Sequence, residues 1–595
     1  CRLQGLCSEF TKSEVMSVSL MLAFKFAPLV NRLLLMTFFL QLLGSDRVKA
    51  ETVFSENGVI ASRSSLASAV GAEIMEQGGN AIDAAVASGF ALAVTYPSAG
   101  NLGGGGFMVI RLANGQVVTN DHREKAPILA TKDMYLDANA EVVAGLSTRS
   151  HLAAGVPGTV AGLIDVLEEF GTMPLADVIQ PAIDLASEGF LMPEDLARQF
   201  ESRIKDFSPY KASVGVFTKE GAPYQAGDLF IQSDLSRTLS RIKQLGKKGF
   251  YDGETAEQIV QEMERGGGLI SKEDLQTYES VWRDPIRGSY RGYEIVSMPP
   301  PSSGGVLLVQ MLNMLEPYDL GTMGFGVSET VHLMIEAQRR AYADRSEYLG
   351  DPDFYPVPFE KLINKDYAEE RFRDFKPDKA GSSERTGPGL LSKESLETAH
   401  LSVIDDLGNA VAYTTTLNLS YGSKIVVDGA GFLLNNEMDD FSAKENEPNF
   451  YGLLGRKANS IEPGKRMLSS MTPTIVLKDG EPLLVTGSPG GSTIITTTLQ
   501  VILNVIDHGM NLDEAVASPR FHHQWRPDRV IHEESAFSEE TTEKLLEIGH
   551  RNLNTIPSYY GRGIGDANSV MKLSDGFIGV SDPRNAGGAK GVGAR

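Results

Sequence analysis

Thr398-Ala399-His400-Leu401-Ser402-Val403 places a hydroxyl where a polar segment meets a strand pattern. Residues 377–397 are dominated by Lys, Asp, Gly, Ser, Pro and Glu, too polar to bury a core and therefore open to cleavage. Downstream, Leu401 and Val403 alternate with Ser402, Asp405 to Asn409 reads as a turn, and Val411 to Thr416 reads as the returning strand. Cutting the bond before Thr398 would leave a threonine carrying a hydroxyl and a free α-amine on a rigid hairpin. That is a nucleophile with its own base.

An acyl-transfer nucleophile needs an oxyanion site, and Gly487-Ser488-Pro489-Gly490-Gly491-Ser492 offers one. It lies between a strand expected at 482–486 and a helix expected at 493–507, where glycine lets backbone N–H groups face open space and the helix start adds positive charge. Ser488 is not itself a nucleophile of the elbow type. Thr486 stands where the elbow needs glycine, and Pro489 has no N–H to donate.

Glu437 and Asp440 could hold an ammonium group, although an acidic turn of this kind is ordinarily solvated surface. Arg123, in the 121–127 loop, is a planar fork for a carboxylate or, as the sequence alone favours, an ordinary ion-pair partner. Residues 444–459, with Tyr451 near the middle, suit a surface loop able to act as a lid. The glycines at 103–106 lack the Lys-Ser/Thr of a phosphate loop and are expected to permit close backbone approach. Ser302 and Ser303 are expected to cap the helix 306–315, and adjacent His522 and His523 to be structural. No metal-ligand spacing is present.

The elements around these residues are mixed. Helical spacing is expected over 64–75, 80–94, 176–187, 235–245 and 256–265; strands are expected over 107–112, 431–434 and 474–477. With 595 residues the chain can bury a large core, and a net charge of -22 argues against nucleic-acid binding. Residues 33–43 are nearly all apolar, follow Lys25 and Arg32, and precede Val48-Lys49-Ala50. This is the layout of a secretory signal cut after Ala50, with a membrane anchor or buried helix as the alternative. Met16 and Met21 offer translation starts, and Cys1 and Cys7 precede both, so the exported chain is expected to have no disulfide or thiol chemistry.

Taken together, Thr398 to Val403, Asn435 to Phe441, Pro463-Gly464-Lys465-Arg466 with Leu468-Ser469-Ser470-Met471, and Gly487 to Gly491 resemble γ-glutamyltransferases (γ-glutamyltranspeptidases). So do Gly103 to Phe107, Arg123-Glu124-Lys125-Ala126-Pro127, Pro299 to Gly305 and Ala341-Tyr342-Ala343-Asp344-Arg345. Residue 399 is Ala where many bacterial members carry a second Thr, which leaves the nucleophile untouched.

The resemblance implies an α+β protein, a four-layer αββα sandwich of the N-terminal-nucleophile hydrolase fold. It implies a leader and signal over 1–50 and a precursor that cuts itself at Glu397-Thr398. The products, 51–397 and 398–595, would stay together as one intertwined unit. Thr398 would then attack the γ-amide of glutathione or a related γ-glutamyl compound and pass the γ-glutamyl group to water, amino acids or peptides. By the same likeness Thr416 positions Thr398, and Gly490 and Gly491 hold the oxyanion. Arg123, Ser469 and Ser470 bind the α-carboxylate. Asn418, Glu437 and Asp440 bind the α-ammonium, with Asp439 as the alternative to Glu437, and Tyr451 covers the pocket. No cofactor or metal is implied, and the setting is periplasmic or extracellular. A glutaryl-type β-lactam acylase of the same fold and a non-catalytic precursor-like binding protein are the competing readings.

Overall fold

Alternation along the strands decides how the chain layers. In the strands Gly58–Ser62, Gly105–Arg111, Ala399–Asp405 and Ala410–Thr416, Ile60, Met108, Ile110, Leu401, Val403, Val411 and Tyr413 face one core. Their neighbours Val59, Ala61, Phe107, Val109, Ile404, Ala410 and Ala412 face another. Both faces of the sheet are therefore covered.

The second core is shared with a second sheet, through Val296, Ile475, Leu477, Val485 and Val570. The opposite face of that sheet, including Ile286, Ile295, Val476 and Leu484, belongs to a third core. Helices close both outsides. Ser65–Glu76, Ala81–Thr95 and Thr159–Phe170 pack on the first sheet, and Gly304–Leu315, Ser328–Tyr348 and Thr493–Ile506 on the second. The order is helices, sheet, sheet, helices, the expected αββα sandwich. Each fully buried branched aliphatic in these layers contributes about 1.5–3 kcal/mol.

The computed structural model describes residues 51–386, 398–444, 447, 449–450, 452–558 and 563–593. Each of these two sheets has seven antiparallel strands. The first runs Gly588–Gly591, Gly58–Ser62, Ala399–Asp405, Ala410–Thr416, Gly105–Arg111, Val117–His122, Val281–Arg283. The hairpin after Thr398 therefore lies between strands from the first part of the chain.

Local sequence sets the helix ends. Asn80 caps Ala81–Thr95 with a reciprocal Asp83 contact, and every residue of that helix is buried. The helix expected over 176–187 is two, Leu175–Val178 and Gln180–Ser187, because Pro181 sits at the start of the second. Residues 431–434 form no strand; Leu433 and Leu434 make only isolated bridges to Val426 and Gly103. Ser303 gives its helix no side-chain cap. Its hydroxyl donates to Ser469 O at 2.7 Å, while Ser302 Oγ accepts from Gly304 N and donates to Met471 O. The capping expectation thus holds for Ser302, which takes the first N–H of the helix, and fails for Ser303, which ties two loops instead. Among the described residues no helix is long and apolar enough to cross a membrane; the apolar run 33–43 lies outside them.

Candidate active site

The antiparallel register places the two threonines. Ala399 pairs with Thr415 and His400 with Thr414. One further step puts Thr398 opposite Thr416 on the same face, a cross-strand distance of about 5 Å between Cβ atoms. That face looks between the sheets, as Ile404 does. Thr416 Oγ1 accepts the Asn418 N–H at 2.8 Å, which leaves its own proton to be given elsewhere. The glycine run explains how the strand end comes so close: a Cβ on Gly104 would stand 2.2 Å from Thr416 O. His400 bridges Thr414 and Ser402, and burial drives its pKa down to about 3, so it is neutral.

A small cavity opens beside this pair. Arg123, Thr398, Thr416, Asn418, Glu437, Asp440, Leu453, Ser469, Ser470, Met471, Gly491 and Ile494 line it. The 3-10 turn Glu437–Asp440 supplies the acids. Asn435 anchors that turn by accepting from Glu437 N and Gly155 N and donating to Gly103 O and Gly155 O. Asn418, at φ +72°, donates to Asn436 O.

Arg123 is buried with Nη1 2.6 Å from Glu437, Nη2 2.6 Å from Asp440 and Nε donating to Met467 O. Burial alone would lower its pKa, but Glu437, Glu124 and Asp440 outweigh it and hold the guanidinium above its usual value. Burial pushes both Glu437 and Asp440 upward, and Arg123 pulls each back. Glu124, 3.5 Å from the guanidinium, is pushed by burial to about 7. Asp439 turns away, accepting from Ser147 Oγ at 2.6 Å and Phe450 N at 2.9 Å. Glu437, not Asp439, is the partner of Asp440 in the cavity.

Ser469 and Ser470 belong to one loop. Ser469 N donates to Pro301 O, and Ser469 Oγ accepts from Met471 N. Arg345 donates to Ser303 Oγ at 2.9 Å and to Ser470 Oγ at 3.1 Å.

The turn 487–492 leads into the helix Thr493–Ile506. Gly490 and Gly491 have φ +132° and +55°, and a Cβ on Gly490 would stand 2.4 Å from Thr493 Oγ1. Ser488 is buried, donating to Pro489 O and accepting from Asp566 N, as a structural residue would.

The structure brings Thr398, Thr416, Asn418, Glu437, Asp440, Arg123, Ser469, Ser470 and Gly491 to one cavity. Gly490 precedes Gly491 in the turn without lining it, and Tyr451 lies outside the described residues. The neighbouring part of the 444–459 loop meets the acids directly: Asn449 Nδ2 donates to Asp440 Oδ1 at 3.1 Å. Leu453 and Ile494, which with Met471 give the cavity its apolar wall, were not singled out in the sequence, and Met471 and Arg345 stood there only within resembling motifs, without a role.

One group of possible metal ligands exists among the described residues, His332, Glu336 and His550. It does not suit a cation. Glu336 is held by Arg339, Arg340 and Gly381 N, and the histidines bond each other at 2.8 Å.

The family described as Gamma-glutamyltranspeptidase matches residues 67–592. The chain is 50% identical over 536 residues to the Glutathione hydrolase proenzyme of Escherichia coli (strain K12), covering 90% of this chain and 91% of that protein. Among solved structures it resembles a cephalosporin acylase from Bacillus halodurans, with TM-score 0.79, 25% identity and coverage of 91% and 96%. It also resembles Helicobacter pylori gamma-Glutamyltranspeptidase, with TM-score 0.54, 53% identity and coverage of 55% of this chain and 93% of that one.

Proposed function

The chain belongs to the gamma-glutamyltranspeptidase family, and from that premise we propose that it is a glutathione hydrolase and γ-glutamyltransferase whose nucleophile is Thr398. The carrying observation is a single cavity in which the Thr398–Thr416 pair stands beside a buried cation already flanked by two carboxylates. Such a set complements the zwitterionic end of a γ-glutamyl group.

The precursor would cut itself when Thr398 Oγ attacks the Glu397 carbonyl carbon, the peptide C–N bond breaks and water hydrolyses the resulting ester. Residues 51–397 and 398–595 would remain one unit, consistent with the interleaving of their strands in the first sheet. The released α-amine, with an ordinary pKa of about 7.7–8.0, serves as base near neutrality. Thr398 Oγ then attacks the γ-carbonyl, with Thr416 orienting it. The Gly490 and Gly491 N–H groups hold the oxyanion, each donor being worth about 3–4 kcal/mol. The amine leaves with a proton, and water or an amino-acid or peptide acceptor takes the acyl group. Arg123, Ser469 and Ser470 take the α-carboxylate; Asn418, Glu437 and Asp440 take the α-ammonium. Tyr451 is assigned to the lid, and the apolar run at 33–43 supports export to a periplasm or the medium.

A glutaryl-side-chain acylase would use Arg123 but would have no need of two buried acids beside it. Denaturing gels test the proposal: wild type should give two bands, the smaller beginning at Thr398, and Thr398→Ala one band without γ-glutamyl anilide turnover. An uncut wild-type band with full activity would overturn it.

A further inference from the structure

Arg345 is on the last turn of the helix Ser328–Tyr348 and is buried, with 4% exposure. One turn earlier Tyr342 donates to Ser492 O, so one helix face touches both the oxyanion turn and the serine loop. Arg345 Nε donates to Ser303 Oγ and Nη2 to Ser470 Oγ. Ser303 in turn fixes Ser469 O through both its N–H and its hydroxyl, at 2.8 and 2.7 Å. One guanidinium thus joins the loop 301–305 to both serines assigned to the substrate carboxylate.

Arg345 has hydroxyl partners but, among the described residues, no ion-pair partner. Among the described residues no carboxylate lies within 4.0 Å of it, whereas Arg339 and Arg340, on the same helix, are both ion-paired. Burial pulls its pKa down to about 10, with Asp440 opposing and Arg123 adding to the fall, and it stays charged at neutral pH. A buried cation without a contact anion is costly. An incoming carboxylate at Ser470 would relieve that cost.

We propose that Arg345 is a positioning residue for the substrate α-carboxylate, acting through Ser470. A hydroxyl has one proton and two lone pairs. Because Arg345 donates to Ser470 Oγ, the Ser470 proton points elsewhere, and Ser470 lines the cavity. The second cation also biases that end of the cavity towards an anion, leaving the Glu437–Asp440 end for the ammonium. Lysine cannot reproduce this, since a single ammonium does not present the two divergent donors that reach Ser303 and Ser470. The inference rests on the γ-glutamyl reading above.

Arg345→Met, Arg345→Lys, Ser470→Ala and the Arg345→Met/Ser470→Ala double variant test it, with KM and kcat measured on a γ-glutamyl anilide after two-band maturation is verified. Arg345→Met should raise KM about 10- to 100-fold, the effect of one or two charge-assisted contacts, with kcat within about threefold. Arg345→Lys should recover part of the loss. In the Ser470→Ala background the extra effect of Arg345→Met should shrink to about threefold or less. Fully additive effects, or losses confined to kcat, would overturn the proposal. If Arg345→Met fails to mature, an unchanged KM in Arg345→Lys overturns it and a severalfold rise supports it. Absence of turnover by the wild type itself counts against the parent reading instead.

Discussion

Arg123 Nη2 stands 2.6 Å from Asp440 Oδ2, so the cation and the anion proposed for the two charged groups of the substrate's zwitterionic end are partners of each other. On that proposal, binding a zwitterion would be an exchange: the substrate carboxylate would take one side of Arg123, and the ammonium the oxygen released. Charge is conserved through the exchange, so neither group has to enter the cavity uncompensated. Asp440→Asn keeps the shape and removes the charge. It should raise KM for a γ-glutamyl anilide about 30-fold or more, the effect of about 2 kcal/mol or above for a buried charged contact. A glutaryl anilide, which has no ammonium, should lose no affinity. Equal losses on the two substrates would remove Asp440 from the ammonium site.

Thr416 calls for a different kinetic signature. It stands opposite Thr398 by register, and Asn418 N occupies an acceptor site on its oxygen. Thr416→Val keeps the β-branched shape and removes the hydroxyl proposed to orient Thr398. The expected loss is about 100-fold in kcat with KM changed by less than about threefold, because misorientation acts on the reacting atoms. Thr416→Ser should keep most of the activity. A loss seen chiefly in KM would place Thr416 in substrate binding.

How far the sequence could be read depended on how local each feature was. The Thr398 hairpin, the Asn80 cap and the glycine turn at 487–492 are set by neighbours in the chain, and the structure has them close to their expected bounds. Arg123 illustrates the limit. In a charged loop it reads as an ion-pair partner, and it is one, but its partners Glu437 and Asp440 lie more than 300 residues away. The acidic turn at 437–440 looks solvated until Asn435 is seen folding it inward against Gly103 and Gly155. Arg345 sits on a helix buried nearly throughout its length, so no amphipathic stripe marks it. The break at Ile179 and the missing strand at 431–434 are local errors: Pro181 starts a new helix, and the short apolar run pairs only through single bridges.

Asp439 gives a pH-dependent stability with a definite sign. Burial pushes its pKa from 3.8 to about 6, only partly offset by the hydrogen bonds from Ser147 and Phe450 N. Between these values the folded state binds more protons than the unfolded one, so stability falls as pH rises through the window. The full penalty is present above about pH 6 and absent below about 4. Asn can keep both contacts, accepting from Phe450 N with Oδ1 and donating to Ser147 with Nδ2. Asp439→Asn should therefore stabilise the protein by about 1–3 kcal/mol at pH 7.5 and leave it unchanged near pH 4. Denaturant midpoints at the two pH values check this, and a gain of the same size at both would mean that the carboxylate is not the cause.

The segment preceding the proposed cleavage point is fastened to residues that follow it. Ala380 N donates to Ile548 O, Ser383 N to Asp528 Oδ2, and Trp525 Nε1 to Ser383 O. Arg339 reaches both Ser383 Oγ and Asp528, and Gly381 N bonds Glu336. Burial would raise the Asp528 pKa, but His523 and Arg339 outweigh it and hold the carboxylate well below its usual range. The tie is thus complete at neutral pH and is lost only in strong acid. After cleavage at Glu397-Thr398 it would be one of the contacts keeping the end of the first product on the second. Asp528→Ala leaves the Ser383 N–H and the Arg339 guanidinium without this acceptor while touching nothing in the cavity. Trypsin should then cut at the exposed Lys379 and Arg385 about 5- to 30-fold faster, as expected when local opening becomes about 1–2 kcal/mol easier. Turnover of γ-glutamyl anilide should be unchanged before digestion. Cleavage at the wild-type rate, followed by mass spectrometry, would mean that Ala380 and Gly381 hold the segment without Asp528.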